Sequence, residues 1–336
     1  MSQLRPLSVA ACLLASVAPL LAQSPGETKV AKWKDDKKAV FLLMFDDGWP
    51  SGWQIAVPAL SERQMIATFY ICPDKGEYKK FEETWLTDVV QAGMVLADHT
   101  MTHKGVHNLE EAEYEIGEAA NYIRMSTKIP DSKPVSFGMP GVGKDDWEIT
   151  GDELNSLLKK HNLISRPTFV GHGANYHVKT TEEMLALADK AIGEGGMEYL
   201  VIHGLERLEP NWGYQDFWAL KQDIFFPLLD GLKERRDRGD LWITDHISEY
   251  QYDTERQTAK ANVIFAKADG IRLELKCEAD AKSYDYPLTL ITAVPTTWKE
   301  AEIKQGEKLS KVKANQGAIM FEAAPNGGFI DIRAAQ

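Results

Sequence analysis

Between residues 39 and 246, short apolar runs alternate with stretches of helical pattern, and this alternation narrows the choice of fold more than any other feature of the chain. The runs are AVFLLMF (39–45), IATFYIC (66–72), MVLA (94–97), PVSF (134–137), LISR (163–166), YLVI (199–202) and LWIT (241–244). Several are apolar at nearly every position, which a strand with one wet face does not tolerate. Such runs suit strands buried on both faces of a parallel sheet covered by helices. The stretches VHNLEEAEYEIGEAANYIRM (106–125), TTEEMLALADKAIGEGG (180–196) and QDFWALKQDIFFPLLDGLKERRDRG (215–239) supply the helices. Thr180 and Glu183 have the spacing of a capping box, and Gly195 and Gly196 close the same helix. The expected class is α/β, either a (β/α) barrel or an open doubly wound sheet.

Near residue 258 the pattern changes. ANVIFAKA, IRLELKCE, YPLTLITAV, GAIMFEAA and FIDIRA follow, separated by Gly, Pro, Asp and Asn. In IRLELKCE apolar and charged residues alternate, as in a strand with one solvated face. A small all-β sandwich over 258–336 is expected. The chain's 336 residues also exceed what one growing core usually holds. The expected division is therefore a catalytic domain over 30–255 and the β domain after it.

Residues 1–22 read differently. Arg5 precedes PLSVAACLLASVAPLLA, and the small Ala22 stands before a polar stretch, which is the pattern of a cleaved signal peptide. Pro19 interrupts the run, which argues against a spanning anchor. The mature protein is thus expected to be exported, periplasmic or secreted, with no membrane span. With 38 basic against 50 acidic side chains the net charge is −12, so nucleic acid and anionic membranes are not expected partners. Cys72 and Cys277, the cysteines beyond the signal, suit buried thiols rather than a disulfide framework.

The chemistry concentrates at strand ends. MFDDGWPSG (44–52) puts Asp46 and Asp47 directly after the first apolar run. A polar turn at a strand end is ordinary, but two adjacent acids on a rigid strand also suit two distinct tasks. DHTMTH (98–103) places His99 and His103 four residues apart. On one helical turn, or on a loop shaped like one, both imidazoles face the same way. Two imidazoles and a carboxylate are a common ligand set for a catalytic zinc-type ion.

FDDG (45–48), HTMTH (99–103) and LVIHG (200–204), in that order, resemble the polysaccharide deacetylases of carbohydrate esterase family four, including chitooligosaccharide deacetylase-like members. The resemblance runs over roughly 39–250. It implies a barrel, a distorted seven-stranded one, and a metal-dependent hydrolase that removes acetyl groups from a polysaccharide or oligosaccharide. By the resemblance Asp47, His99 and His103 hold one divalent ion. Zn is the first choice, although Co, Ni and Mn suit the same donors. Asp46 is then the general base toward the attacking water, and His203 protonates the departing amine or alkoxide. Pro140, Gly141 and Leu200 are placed at an acetylated glycan substrate. Trp49 and Trp212 are candidate platforms for pyranose faces, with Trp53, Trp147 and Tyr214 behind them. His172 and His177 are candidates for the cleft wall, while His107, His161 and His246 read as structural or surface residues.

One element departs from the family. Where an Arg-x-Pro element is usual, this chain reads FGMPG (137–141), with Gly138 at the arginine's place and Pro140 kept. Arg166, in ISRPTF after a predicted strand, is the first candidate for the cation that orients Asp46, and Lys144 the second. The family's Asp-x-x-Asp-Trp element is absent from its usual place, because KDDW (144–147) follows Pro140 too soon. Two other functions stay open: a hydrolase of a different amide or an O-acetyl ester, and a glycan-binding protein of the same fold with little turnover. Asp46 and His203 speak against the second, since binding alone needs neither.

Overall fold

Each apolar run becomes a strand. In the computed structural model, which describes residues 24–208 and 214–335, a short strand β1 (Thr28–Val30) precedes β2 (Ala39–Phe45), β3 (Thr68–Ile71), β4 (Val95–Asp98), β5 (Val135–Phe137), β6 (Leu163–Ser165), β7 (Met197–Ile202) and β8 (Leu241–Thr244). The signal-peptide segment and Trp212 lie outside the described residues.

Strands β2 to β8 form one seven-stranded sheet, ordered β6-β5-β4-β3-β2-β7 with β8 also on β2, and every pairing is parallel. Strand β2 is its axis, and all of its residues are buried. Phe41, Leu43 and Phe45 pack toward the helices, whereas Val40, Leu42 and Met44 point into the barrel, which is why the run is apolar throughout. One edge of β2 pairs along its length with β7. The other is shared, Ala39–Leu42 with β8 and Met44–Phe45 with β3. Between β7 and β6 no strand pair among the described residues closes the ring. Instead the segment 172–174 bridges there, with Ala174 N donating to Val201 O (2.8 Å) and Val201 N to His172 O (2.9 Å). The result is a distorted seven-stranded (β/α) barrel.

The helix Thr181–Glu194 carries the expected capping box, Glu183 N donating to Thr180 Oγ1 (3.2 Å), and ends on Gly195 at φ +64°. The helix expected over 215–239 starts later, at Gln222, because Asp216 is held elsewhere: its Oδ2 accepts from Ser51 N (2.9 Å) and its Oδ1 pairs with Arg207. A further helix, His246–Thr258, is capped by Asp245, whose Oδ1 accepts from Ser248 N (2.9 Å).

The C-terminal part is a sandwich of antiparallel strands: β9 (Lys260–Lys267), β10 (Gly270–Lys276), β11 (Leu288–Ala293), β12 (Glu300–Gln305), β13 (Lys308–Lys313), β14 (Ala318–Ala323) and β15 (Phe329–Ala334). A five-stranded sheet, β13-β12-β15-β10-β9, lies with a three-stranded one, β1-β11-β14, so the chain's first described strand completes the second sheet. Ile271, Leu273 and Leu275 point inward, as the alternation in IRLELKCE required, while Cys277 falls past the strand end and is half-buried. One apolar cluster runs from Val40, Leu42, Met44 and Val201 inside the barrel through Trp242 and Tyr252 to Leu273, Leu290 and Ile332 of the sandwich. Among the described residues no helix is long and apolar enough to cross a membrane.

Candidate metal centre and catalytic cleft

The site is assembled where the parallel strands end. Asp46 N continues the ladder by donating to Ile202 O (2.8 Å), and the next two residues, Asp47 (φ +72°) and Gly48 (φ +66°), both adopt left-handed backbone. That double turn sends the adjacent carboxylates in different directions. Asp47 Oδ2 accepts from Trp49 Nε1 (2.9 Å). Its Oδ1 is buried, accepts no hydrogen bond from any of the described residues, and lies 3.2 Å from His103 Nε2 and 3.8 Å from His99 Nε2. Lys75 Nζ forms an ion pair with the same oxygen at 3.0 Å.

His99 is oriented by Gly138, whose carbonyl lies 2.7 Å from Nδ1. With Nδ1–H donating to that carbonyl, the lone pair on Nε2 faces Asp47. Burial pushes the His99 imidazole down to about 4, which keeps it in the neutral form that ligates metals. Burial by itself raises the Asp47 carboxyl, but His99, Lys75 and His103 outweigh it and hold the group well below the usual carboxylate range. Asp47, His99 and His103 each offer one atom, and these atoms lie within 4.8 Å of one another. A carboxylate oxygen without a hydrogen bond, facing two imidazole nitrogens, fits a divalent ion of the zinc class.

The two histidines sit on a loop rather than a helical turn. Thr100 (φ +67°) and His103 (φ +62°) are left-handed, which a helix forbids. The loop is tied by Thr100 N to Asp98 Oδ1 (2.8 Å), His103 N to Thr100 Oγ1 (3.1 Å) and Thr102 N to the buried Glu115 Oε2 (2.9 Å).

Asp46 faces the other way, into a bidentate pair with Arg166: Nη1 to Oδ1 and Nη2 to Oδ2, each 2.7 Å. Burial favours the protonated acid, but Arg166, His99 and His203 outweigh it and keep Asp46 ionised at a lowered pKa. His203 Nε2 lies 3.9 Å from Asp46 Oδ2. Its ring is met edge-on by Phe169, Phe217 and Trp218 at centroid distances of 5.6, 5.6 and 5.0 Å, and its buried Nδ1 has no hydrogen-bond partner among the described residues. Burial among these rings lowers its pKa.

A cleft of about 600 Å³ opens on these groups and is lined by Asp46, Asp47, His103, Arg166 and His203 together with Pro140, Gly141 and His177. Leu200 is not on it. In β7 the side chains alternate, so Tyr199 and Val201 face the barrel interior while Leu200 is fully buried toward the helices, which corrects its placement at the substrate. Trp49 is not on the cleft wall either; its indole is taken up by Asp47, and Lys75 Nζ lies 5.1 Å from its ring centroid. His172 instead bonds Glu198 Oε2 (2.7 Å) and stacks on Tyr199. The aromatic wall is made by Phe169, Tyr176, Phe217 and Trp218, which the sequence reading missed. Their one signal is position: they follow β6 and β7, at the strand ends where barrel sites gather.

Residues 33–147 match the family model described as polysaccharide deacetylase, a stretch that contains both FDDG and HTMTH, so the resemblance carried by these motifs is shown. Arg166 and His203 lie beyond the matched stretch. A gellan lyase from a Bacillus species is 21% identical over 339 residues, covering 92% of this chain and 13% of the lyase, so the chain spans a small part of that relative's length. Similar solved structures include a family 4 carbohydrate esterase from Streptomyces lividans in complex with acetate (19% identity, 60% of this chain and 90% of that one, TM-score 0.40). A peptidoglycan deacetylase from Bacillus subtilis is 17% identical over 62% of this chain and 88% of that one, with a TM-score of 0.41. A family 4 pseudoenzyme from Bacillus anthracis is 14% identical over 63% and 64%, with a TM-score of 0.43.

Proposed function

We propose that this chain, whose residues 33–147 match the polysaccharide deacetylase family model, hydrolyses acetyl groups from a glycan with the help of one divalent ion held by Asp47, His99 and His103. The observation that carries this reading is Asp46. A buried carboxylate, gripped by two 2.7 Å bonds, stands beside the three donors with its Oδ2 3.8 Å from His99 Nε2 and 3.9 Å from His203 Nε2. An ion held there, with Zn the first choice, would supply positive charge that makes a water more acidic near neutral pH and offsets negative charge developing on the acetyl carbonyl oxygen. Asp46 takes the proton from the attacking water, and Arg166 keeps its two oxygens fixed while it does so. His203, whose Nε2 lies 3.9 Å from Asp46 Oδ2, returns that proton to the departing oxygen or nitrogen, so both residues end the turnover in the state in which they began it. Phe169, Tyr176, Phe217 and Trp218 offer apolar faces on which pyranose rings lie flat. Export of the mature protein through the N-terminal segment belongs to the same reading.

Acetate release from a panel of N-acetyl and O-acetyl glycans tests it. Chelator is expected to abolish release and added Zn²⁺ to restore it, while Asp46→Asn stays folded and loses about 100-fold or more of the rate. Unimpaired release by Asp46→Asn, or by the stripped protein, sinks the proposal. Glycan binding without any release establishes the binding-protein reading instead.

A further inference from the structure

The guanidinium that grips Asp46 comes from Arg166, the residue after β6, one strand over from Gly138, which follows β5, and the structure shows how it is accommodated. A Cβ built on Gly138 would stand 2.7 Å from Arg166 Nε and 2.8 Å from Tyr70 Cδ1, so position 138 must lack a side chain for this arginine to pass. Below it the Arg166 ζ carbon lies 4.5 Å from the centroid of the Tyr70 ring. Tyr70 is fully buried, and its hydroxyl lies 2.7 Å from Ser136 Oγ, which lies 2.7 Å from His246 Nδ1. The same ring meets His99 edge-on at 6.2 Å. Three separate segments of the barrel, β3, β5 and the residue two past β8, thus converge to fix one aromatic face beneath one cation.

We propose that Tyr70 is a positioning residue: its ring, locked by Ser136 and His246, is the seat that holds the Arg166 guanidinium in register with Asp46, and Gly138 is the matching gap through which the side chain reaches. The physical need is plain. An arginine has many rotamers, and a two-point grip on a carboxylate is useful only when the planar fork is held in one of them. A buried aromatic face supplies both a flat support and an attraction for the cation. The proposal rests on the reading of Asp46 as the base, yet the seat itself exists whatever reaction the site performs.

The test uses the full chain with Arg166→Gly and free guanidinium as the probe, followed by calorimetry and by acetate release. Guanidinium is expected to bind Arg166→Gly saturably and to restore release as it binds. Adding Tyr70→Leu should weaken that binding about tenfold, whereas adding Tyr70→Phe, which keeps the ring, should leave it within about twofold. With Arg166 present, Tyr70→Leu should lower kcat about tenfold at unchanged KM. Equal guanidinium affinity with and without the ring, or a wild-type kcat for Tyr70→Leu, overturns the proposal. If Tyr70→Leu does not fold, Gly138→Ala takes its place: it should lower kcat by displacing Arg166, and a wild-type kcat there overturns the proposal equally. Because guanidinium binding needs no turnover, a wild type that releases no acetate defeats the deacetylase reading alone and leaves the seat to be decided by affinity.

Discussion

At Asp47 Oδ1 a lysine and two imidazoles meet one oxygen. Lys75 Nζ, 3.0 Å away and partly exposed, places a positive charge where a divalent ion would bond. Like charges at that range repel appreciably even with protein-like screening. Lys75→Met is therefore expected to tighten Zn²⁺ binding about tenfold, measured by competition with a chromophoric chelator; unchanged or weaker binding counts against a competing role for Lys75. The nearness of Asp46, Asp47, His99, His103 and His203 was legible because each occupies the end of a recognisable apolar run. Arg166 was legible as a candidate for the same reason. Tyr70, Ser136 and His246 were not, since their contacts join positions 66 and 110 residues apart and nothing local to any of them marks the partner. Leu200 misled because a motif names neighbours in sequence, whereas a strand sends alternate residues to opposite faces.

At the scale of elements, the helix His246–Thr258 shows why polarity can hide structure. Its buried side includes Glu249, Gln251 and Glu255, so the stretch SEYQYDTERQT reads as solvated although it packs between barrel and sandwich. The β12–β13 hairpin, EAEIKQGEKLSKVK, was hidden likewise: only Ala301 and Ile303 are buried, and its wet face is dense with Lys and Glu. The apolar strands of the barrel could be read because burial on both faces leaves no polar positions. The polar helix makes a prediction about pH. Burial, with Asp253 nearby, pushes Glu249 up to about 8, and burial pushes Glu255 up to about 7, from an ordinary 4.5. Glu255 Oε2 accepts from Tyr286 N (3.0 Å) while Oε1 has no hydrogen-bond partner among the described residues. The folded chain keeps protons that the unfolded chain releases above pH 4.5, so this contribution to stability is full below that pH, declines as pH rises, and is gone above about 8. Glu249→Gln with Glu255→Gln is expected to match the wild type in thermal midpoint near pH 4.5 and to exceed it near pH 9. Other titrating groups cancel in that comparison, so parallel curves for variant and wild type across the range would refute the assignment.

For the whole molecule, the question is whether barrel and sandwich are two folding units or one. The composition of the sheets speaks for one: β1 comes from before the barrel yet pairs with β11, Thr28 opposite Thr292 and Val30 opposite Leu290. The apolar cluster speaks the same way, because Val40, Leu42 and Met44 on the barrel's axial strand share it with Leu273, Leu290 and Ile332. Tyr252 is fully buried and donates to Ala31 O (3.0 Å), tying the last barrel helix to the segment that leads from β1. A barrel stripped of residues 259–336 would expose Trp242 and Tyr252, and an exposed apolar surface of that kind drives aggregation. Calorimetry of the whole chain is therefore expected to show one transition, and the 24–258 fragment to be insoluble or to bind a hydrophobic dye. Ile332→Ala, a change deep in the sandwich, should lower stability by about 2–5 kcal/mol and shift the urea midpoint equally for sandwich and barrel signals. Two resolved transitions, or a soluble fragment that still takes up Zn²⁺, would show that the site needs no support from the sandwich. A single transition would mean that the strands bearing the candidate site owe their rigidity partly to residues far from the cleft, since β2 carries Asp46 at one end and, through Val40 and Leu42, meets the sandwich core along its inner face.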